Sequence, residues 1–363
     1  METIQKIGKI EAIFLIVMVT VNEIIFNIPN SVIMNSGSSS WLTILLHFSL
    51  IIIFVLILSK FFKELGPMDL VDVSEYLGGK VLKWIIGILY VILIIVVSSY
   101  ILRYFSNLLE LIYFDHTPTS FLLLLFLVGT LFTAKKGIQT ISFVNLLLSP
   151  IMLLSLLVII FSTFKDIVPE RIFPIFGLGT YETFISGFST IFTFGGIAYL
   201  YFLMPILKNP EDYKKTAVLS ITISGIYMLL SVLCLIMVFP YAAFTDETLS
   251  MYLLTRRITF GEFFQRIDAM FILFWILSVL VFLSMNLHFA NTTLKKLTNI
   301  KYGTKLNYGI AFIIFSLALY YKSIVSMKYV LNVYIKYAFI ALCLVLSFII
   351  MLLAYLKHKR ENA

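Results

Sequence analysis

Charged residues are scarce in this sequence of 363 residues, where they make up 13% of the chain. An average soluble protein has about 25% charged and about 45–50% apolar residues, whereas 61% of this chain is hydrophobic. This balance excludes a water-soluble globular fold. It indicates a chain that lies mostly inside a lipid bilayer.

Cysteine is nearly absent, with Cys234 and Cys343 both inside apolar segments. We therefore expect two buried free thiols and no disulfide framework. The signatures of soluble enzymes are missing as well, since the sequence has no Walker loop and no G-x-S-x-G, C-x-x-C or H-E-x-x-H motif. The four histidines have no metal-ligand spacing. The sequence predicts no enzyme activity, no cofactor and no metal site.

Long apolar runs are what the chain does contain. Read with a window of about 19 residues, they predict an all-α polytopic membrane protein with ten transmembrane helices. The segments run over about 10–34, 41–62, 84–112, 119–134, 138–162, 183–206, 215–240, 262–289, 306–321 and 333–356. They leave no stretch long enough for a separate extramembrane domain, so residues 1–363 are expected to form a single transmembrane domain.

The basic residues lie in short clusters between the apolar runs. If the N-terminus is cytoplasmic, 18 of the 27 Lys and Arg residues lie on the inner side and 6 on the outer side. Cytoplasmic loops carry such an excess of Lys and Arg, so we expect both termini to be cytoplasmic. The net charge of +8 then reflects topology and contacts with an anionic lipid bilayer, and nucleic acid is not an expected partner.

Two of the ten segments look interrupted. The first carries Asn22, Glu23 and Asn27 inside its apolar run and then Pro29. The sixth contains two consecutive glycines at 195–196 and, further on, Pro205. Glycine and proline weaken a helix, and lipid cannot satisfy the backbone groups that a break exposes. Each break is therefore expected to line a cavity, although such kinks are also ordinary packing devices.

The interrupted segments are five helices apart. A five-helix unit has odd parity, so a second copy enters the membrane from the opposite side. This predicts two inverted repeats, at about 10–162 and about 183–356, with a ligand site at the membrane midplane between the two broken helices.

Several stretches resemble a known family. They are FPIFG at 173–177, QRIDAMF at 265–271 followed by Trp275, and the proline at the first break, Pro29. The chain resembles, over nearly its whole length, the spore germination protein family, the B subunits of GerA-type germinant receptors. These stretches are the most specific part of the resemblance. These proteins are a branch of the amino acid–polyamine–organocation transporter superfamily.

The resemblance implies a LeuT-like 5+5 inverted repeat with broken first and sixth helices. It implies a germinant-sensing subunit in the inner membrane of a bacterial spore, which binds a small germinant, expected to be an amino acid, and acts with A-type and C-type receptor subunits. Two alternatives remain open: an amino-acid permease with proton or cation coupling, and a scaffold subunit whose cavity binds nothing.

The chain departs from the family pattern at both breaks. It has Asn22-Glu23-Ile24 where the family usually has glycines, and Ala198-Tyr199 where the sixth helix often carries a glutamate. Either a carboxylate has moved from one broken helix to the other, or the ligand differs.

The expected ligand site lies between the two breaks. Glu23 would receive an ammonium group, and freed N–H groups at Gly195 and Gly196 would receive a carboxylate, so that a zwitterionic amino acid is held at both ends. The candidate ligand-binding residues are Asn22, Glu23, Ile24, Asn27, Phe194, Gly195, Gly196, Ile197, Ala198, Tyr100 and Tyr199.

A second group of residues is expected to gate or to stabilise the site. Pro29 and Pro205 follow the breaks, and Glu262, Arg266 and Asp268 start the eighth helix on the outer side. The three charged residues form either a gating ion network or an interfacial anchor for the preceding loop. The serine-rich stretch 36–40 is expected to be a flexible outer loop.

Overall fold

The computed structural model describes residues 5–25, 28–244, 250–257, 267–300, 304–321 and 323–362. The described part of the first half is helical almost throughout. Its helices are α1 (Lys9–Ile25), α2 (Ile28–Ser36), α3 (Ser40–Leu65), α4 (Leu70–Ile112), α5 (Thr119–Ala134) and α6 (Ile138–Ser162). Here α1 and α2 together form the first span.

The second half opens with the sixth span, which consists of a π-helical turn (Glu182–Ser186), a 3₁₀ helix (Gly187–Phe194) and α7 (Ile197–Leu203). The next helices are α8 (Tyr213–Val238), α9 (Ser250–Arg257), α10 (Ile267–Thr298) and α11 (Thr304–Tyr320). The last span comprises α12 (Ile324–Tyr329), α13 (Lys336–Phe339) and α14 (Ser347–Glu361), joined by π-helical stretches at Val330–Ile335 and Ile340–Leu346.

Within these described ranges, six helices are long and apolar enough to cross a membrane. A seventh span is the helix pair Glu182–Phe194 and Ile197–Ile206, which is bent by 45°. The shorter apolar helices α5 and α11 and the broken first span complete the ten predicted segments. The architecture confirms the predicted ten-helix fold, while the division into repeats at 10–162 and 183–356 remains a prediction.

The third span begins earlier than predicted. Asp69 caps α4, since the Asp72 N–H donates to Asp69 Oδ1 at 3.0 Å and the Asp72 side chain accepts from the Asp69 N–H. The helix kinks at Gly78 and Gly79, and Gly79 has a φ of +68°, which a residue with a side chain rarely adopts. Hydropathy missed this first part because residues 72–83 include several charged side chains.

The broken spans lie inside the bundle and are tied together at both ends. The segment before α1 is bonded to the segment after α7. The Ile7 N–H donates to the Ile206 carbonyl at 2.8 Å, and the Lys208 N–H donates to the Ile7 carbonyl at 2.9 Å. Between these ends, α1 packs against α6, α8 and α10. Most of α1 and residues 190–203 of the sixth span are thereby enclosed by other helices, whereas the start of the sixth span exposes Phe184, Ile185 and Phe188.

The serine-rich stretch forms the tie at the opposite end, so the expectation of a flexible loop is wrong. Ser39 Oγ and Thr183 Oγ1 are 2.7 Å apart, and Thr43 Oγ1 donates to the Thr183 carbonyl at 3.1 Å. Ser38 Oγ donates to the Pro174 carbonyl at 2.7 Å. The serines of the stretch 36–40 make tertiary hydrogen bonds that a sequence pattern does not reveal.

Both cysteines are buried and free, as predicted. Cys234 Sγ is 3.2 Å from Thr163 Oγ1, and the backbone carbonyl of Cys343 accepts from the Tyr201 hydroxyl at 2.7 Å. Each cysteine therefore belongs to a contact between helices of the bundle.

Candidate functional site

A central cavity lies between the two breaks. Its volume, counted as the space open to the centres of water molecules, is about 60 Å³, enough for about four waters. The first, third, sixth, eighth and last spans supply its walls. The lining residues are Val19, Glu23, Tyr90, Leu93, Ile94, Val97, Tyr100, Ile101, Phe192, Gly195, Ala198, Tyr199, Phe202, Phe282, Leu331, Ile335 and Phe339.

Five of the predicted ligand-binding residues line this cavity, namely Glu23, Tyr100, Gly195, Ala198 and Tyr199. The other predicted residues within the described ranges are buried beside it rather than in its wall: Asn22, Ile24, Phe194, Gly196 and Ile197. Asn27 lies outside the described residues. A cavity therefore lies where the site was predicted, and five of the ten described candidates line it. Ligand binding by these residues stays a prediction.

The two glycines of the sixth span have different surroundings. Gly195 faces the cavity, and a Cβ built there would lie 3.0 Å from Glu23 Oε1. Gly196 faces α1 instead, where a Cβ would overlap Thr20 Oγ1 and lie 3.2 Å from the Ile16 carbonyl oxygen. Gly195 lets the Glu23 carboxylate approach the backbone of the break, and Gly196 lets the sixth span pack directly on the first.

Polar contacts fix the first span against the eighth. Asn22 is fully buried, and its Oδ1 accepts a hydrogen bond from Ser278 Oγ of α10 at 2.8 Å. The neighbouring Glu23 is thereby held at a defined depth, with its side chain toward the cavity.

A second buried network holds the wall formed by α7. The Tyr199 hydroxyl donates to Asn286 Oδ1, and Asn286 Nδ2 donates to Ser98 Oγ at 2.9 Å. These residues belong to the sixth, eighth and third spans. Because buried polar groups are costly unless they are satisfied, this chain of hydrogen bonds fixes the relative positions of three helices around the cavity.

A larger end cavity lies on the side of the bundle where the N-terminal segment packs. Its volume, counted in the same way, is about 610 Å³, and its wall includes Gln5, Asp69, Pro205 and Lys296. Phe202 lines both cavities. Its ring packs against Tyr90 at 5.1 Å and against Phe289 at 5.9 Å between centroids. A thin aromatic layer therefore separates the central cavity from the end cavity.

Of the residues expected to gate the site, the two prolines have clear positions. Pro29 is the second residue of α2, where proline is tolerated because the first turn needs no N–H donor. Pro205 lies in the 3₁₀ turn Met204–Ile206 after α7. Glu262 and Arg266 lie outside the described residues, and Asp268 is in the first turn of α10. The two interpretations of that charged group stay open.

The sequence reasoning missed most of the aromatic wall. Phe192, Phe202 and Phe282 and the face of the last span were not among the named residues. On α4 a signal existed, since Tyr90, Leu93, Ile94, Val97, Tyr100 and Ile101 recur at the three- and four-residue spacing of one helix face. That face continues from Tyr100 toward the N-terminus of the helix, so the one predicted residue could have located the others.

Known structures share this fold at low sequence identity. A substrate-bound, outward-open Na⁺-coupled sialic acid symporter matches with a TM-score of 0.66 and 10% identity, over 94% of this chain and 80% of its own. Mhp1, a nucleobase-cation-symport-1 family transporter in a closed conformation with bromovinylhydantoin bound, matches with a TM-score of 0.62 and 12% identity, over 98% and 92%. These likenesses confirm the predicted LeuT-like fold.

Sequence relatives point to a specific branch. Spore germination protein KB of Bacillus subtilis (strain 168) is 25% identical over 93% of this chain and 94% of its own length. Spore germination protein B2 of the same organism is 22% identical over 74% of each chain. The family model described as "Spore germination protein" matches residues 6–327. The chain is a multi-pass membrane protein that belongs to the spore germination protein family.

Proposed function

We propose that this chain is the ligand-sensing membrane subunit of a spore germinant receptor. It binds a small molecule carrying an ammonium group, the class that includes amino acids, in the central cavity, and this binding triggers germination. The observation that carries the proposal is the position of Glu23, a carboxylate on the first broken span that faces the break of the sixth. A carboxylate at this depth is energetically costly unless it has a partner, and the ammonium group of a ligand would supply one.

Membership of the spore germination protein family supports a proposed setting for this subunit. The chain works in the inner membrane of the spore with A-type and C-type receptor subunits, performs no enzymatic reaction, and has both termini in the cytoplasm. The excess of Lys and Arg on one side supports this orientation. The end cavity, beside the N-terminal segment, then opens toward the cytoplasm.

Filling the central cavity tests the proposal. Ala198 lines the cavity, and in Ala198→Leu three added carbons occupy space that the ligand needs. Overpacking costs about 1–3 kcal/mol, so the germinant concentration that gives half-maximal germination should rise about five- to 150-fold. Germination rate is measured against germinant concentration, with subunit abundance determined in the same spores.

The matched control is Ala341→Leu, the same substitution at an exposed position of the last span. It should leave both the concentration dependence and the abundance unchanged. If Ala198→Leu is present at normal abundance with an unchanged concentration dependence, the central cavity is not the sensing site, and the scaffold alternative replaces it.

Transport is a second candidate function, and the position of Phe202 favours it. One aromatic layer separates the central cavity from the end cavity, so displacement of this ring would join them into a path toward the N-terminal side. A protein that only senses its ligand has no need of such a path.

Uptake of a labelled germinant into vesicles that contain this chain alone tests this second function. Saturable uptake is expected, and Phe202→Ala should change its rate severalfold because the aromatic barrier is lost. Phe143→Ala, at an exposed position of α6, is the control and should behave like the unaltered chain. Absence of uptake by the unaltered chain and by both variants would eliminate transport and leave sensing as the function.

A further inference from the structure

The charged groups in the wall of the central cavity are unusual for a site expected to hold an amino acid, which has both an ammonium group and a carboxylate. Among the described residues that line it, Glu23 is the only charged side chain, and the rest of the wall is apolar or aromatic. An ammonium group therefore has an acidic partner in this wall. A ligand carboxylate has no basic side chain to pair with there.

The basic residues nearest to the cavity-lining residues in the sequence do not supply a positive charge to the wall. Arg103 follows Tyr100 by one helical turn, and Lys336 directly follows Ile335, but neither lines the cavity. Lys336 Nζ donates to Ser189 Oγ at 3.1 Å and lies 5.0 Å from the centroid of the Tyr337 ring. Its ammonium group is thus directed to the 3₁₀ helix Gly187–Phe194 of the sixth span.

The break of the sixth span is also already occupied by a carboxylate. Glu23 Oε1 lies 3.0 Å from where a Cβ of Gly195 would be, so the acidic group fills the space beside the break where the ligand carboxylate was expected. The two poles expected to hold a zwitterion at opposite ends therefore coincide at one place. A second carboxylate placed there would lie beside the first, and juxtaposed like charges are strongly unfavourable.

We propose that the central cavity selects amines that lack a free carboxylate, with the Glu23 carboxylate taking the place that a ligand carboxylate would occupy. This inference rests on the proposed function, since it specifies the ligand class of the same site. The ligand is a small primary ammonium ion with an apolar body. It neutralises the one acidic group of the wall and leaves no charge of its own unpaired.

The aromatic wall fits the same ligand. Tyr100, Tyr199, Phe192, Phe202 and Phe282 all line the cavity, and aromatic faces attract cations, most strongly at desolvated sites. The same rings also pack well against a branched apolar body. An anionic ligand would instead meet the negative faces of these rings.

The volume of the cavity determines which probes are suitable. About 60 Å³ open to the centres of water molecules suits a compact branched molecule of about five heavy atoms. Isobutylamine has this size and carries only the ammonium group. L-Valine adds a carboxylate to the same skeleton, L-valinamide replaces that carboxylate with a neutral amide, and isovalerate carries the carboxylate without the amine.

The experiment measures the dissociation constants of these four probes for the purified full-length chain by isothermal titration calorimetry in detergent. L-Valinamide has as many heavy atoms as L-valine and should bind at least about tenfold more tightly. Isobutylamine, the smaller probe, should bind at least as tightly as L-valinamide, and isovalerate should not bind. In Glu23→Gln, the affinity for isobutylamine should fall at least about tenfold, whereas the affinity for L-valine should be unchanged or higher. Glu211→Gln, at an exposed position, is the matched control and should retain the original order.

The outcomes separate this inference from the proposed function. If L-valine binds as tightly as L-valinamide or more tightly, and Ala198→Leu abolishes that binding, the selectivity is overturned while the cavity remains the ligand site. If Glu23→Gln weakens all probes equally, the carboxylate does not discriminate between them, and the inference fails. Failure of every probe to bind likewise overturns the proposed ligand class. If binding is unaffected by Ala198→Leu, the probes bind elsewhere, and both proposals fail.

Discussion

Replacing Gly196 with alanine should sharply reduce both the thermal stability and the spore abundance of this subunit. The new methyl group would overlap Thr20 Oγ1 and lie 3.2 Å from the Ile16 carbonyl oxygen, which belongs to the helix backbone. Relief requires the sixth span to move away from the first, and overpacking of this kind costs about 1–3 kcal/mol. The thermal unfolding midpoint of the purified chain should fall by several degrees.

Gly309→Ala provides the matched control. Gly309 lies on an exposed face of α11, where a Cβ would have no neighbour within 4 Å. Alanine there should be neutral or slightly stabilising, since it favours the helix. Equal midpoints for the two variants would show that the sixth span does not pack on the first at Gly196. A larger substitution such as leucine at Gly196 would not leave the fold intact and cannot test ligand binding alone.

The second large effect is expected from Lys296→Ala. Lys296 Nζ contacts Asp69 and lies 2.6 Å from Asp72 Oδ2, and Asp69 is only 5% exposed. Removal of the ammonium group leaves two carboxylates side by side at the start of α4. Breaking a buried pair costs about 3–5 kcal/mol, and the partial exposure of Lys296 places this case near the lower end.

Lys215→Ala is the control for this prediction, because Lys215 is an exposed residue near the start of α8. It should leave the thermal midpoint within about a degree of the unaltered chain. Lys296→Met separates charge from packing, since it retains an apolar stem without the ammonium group. If Lys296→Met is as stable as the unaltered chain, the cluster contributes packing alone, and the electrostatic argument is wrong.

The ten spans were predictable because the length of an apolar run reflects the thickness of the bilayer. The clusters of basic residues mark loops between the spans. The breaks were predictable because Gly195, Gly196 and Pro29 disfavour a continuous helix. The start of α4 was not, since the capping pair Asp69 and Asp72 lies among charged residues that lower the local hydropathy.

The residues that line the central cavity were only half predictable, for a related reason. Residues near a break either face the cavity or face a neighbouring helix, and this depends on the rotation of each half-helix. Gly195 and Gly196 illustrate the problem, because adjacent glycines contact Glu23 in one case and Thr20 in the other. The wall formed by Phe192 and Phe282 comes from spans that are distant in sequence, so only the packed bundle brings it together.

The ties at the two ends of the broken spans have a mechanical consequence. The N-terminal segment before α1 is bonded to the chain that follows α7, and the stretch after α2 is bonded to the start of the sixth span. The four half-helices therefore form two arms, each made of one half from either span, and the arms meet at the breaks. Bending at the break of the sixth span, whose two parts lie at 45° to each other, would rotate one arm against the other as rigid bodies. Any change in the distance between Glu23 and the sixth span would therefore change the angle between the arms, and this change would reach both ends of the bundle as a tilt.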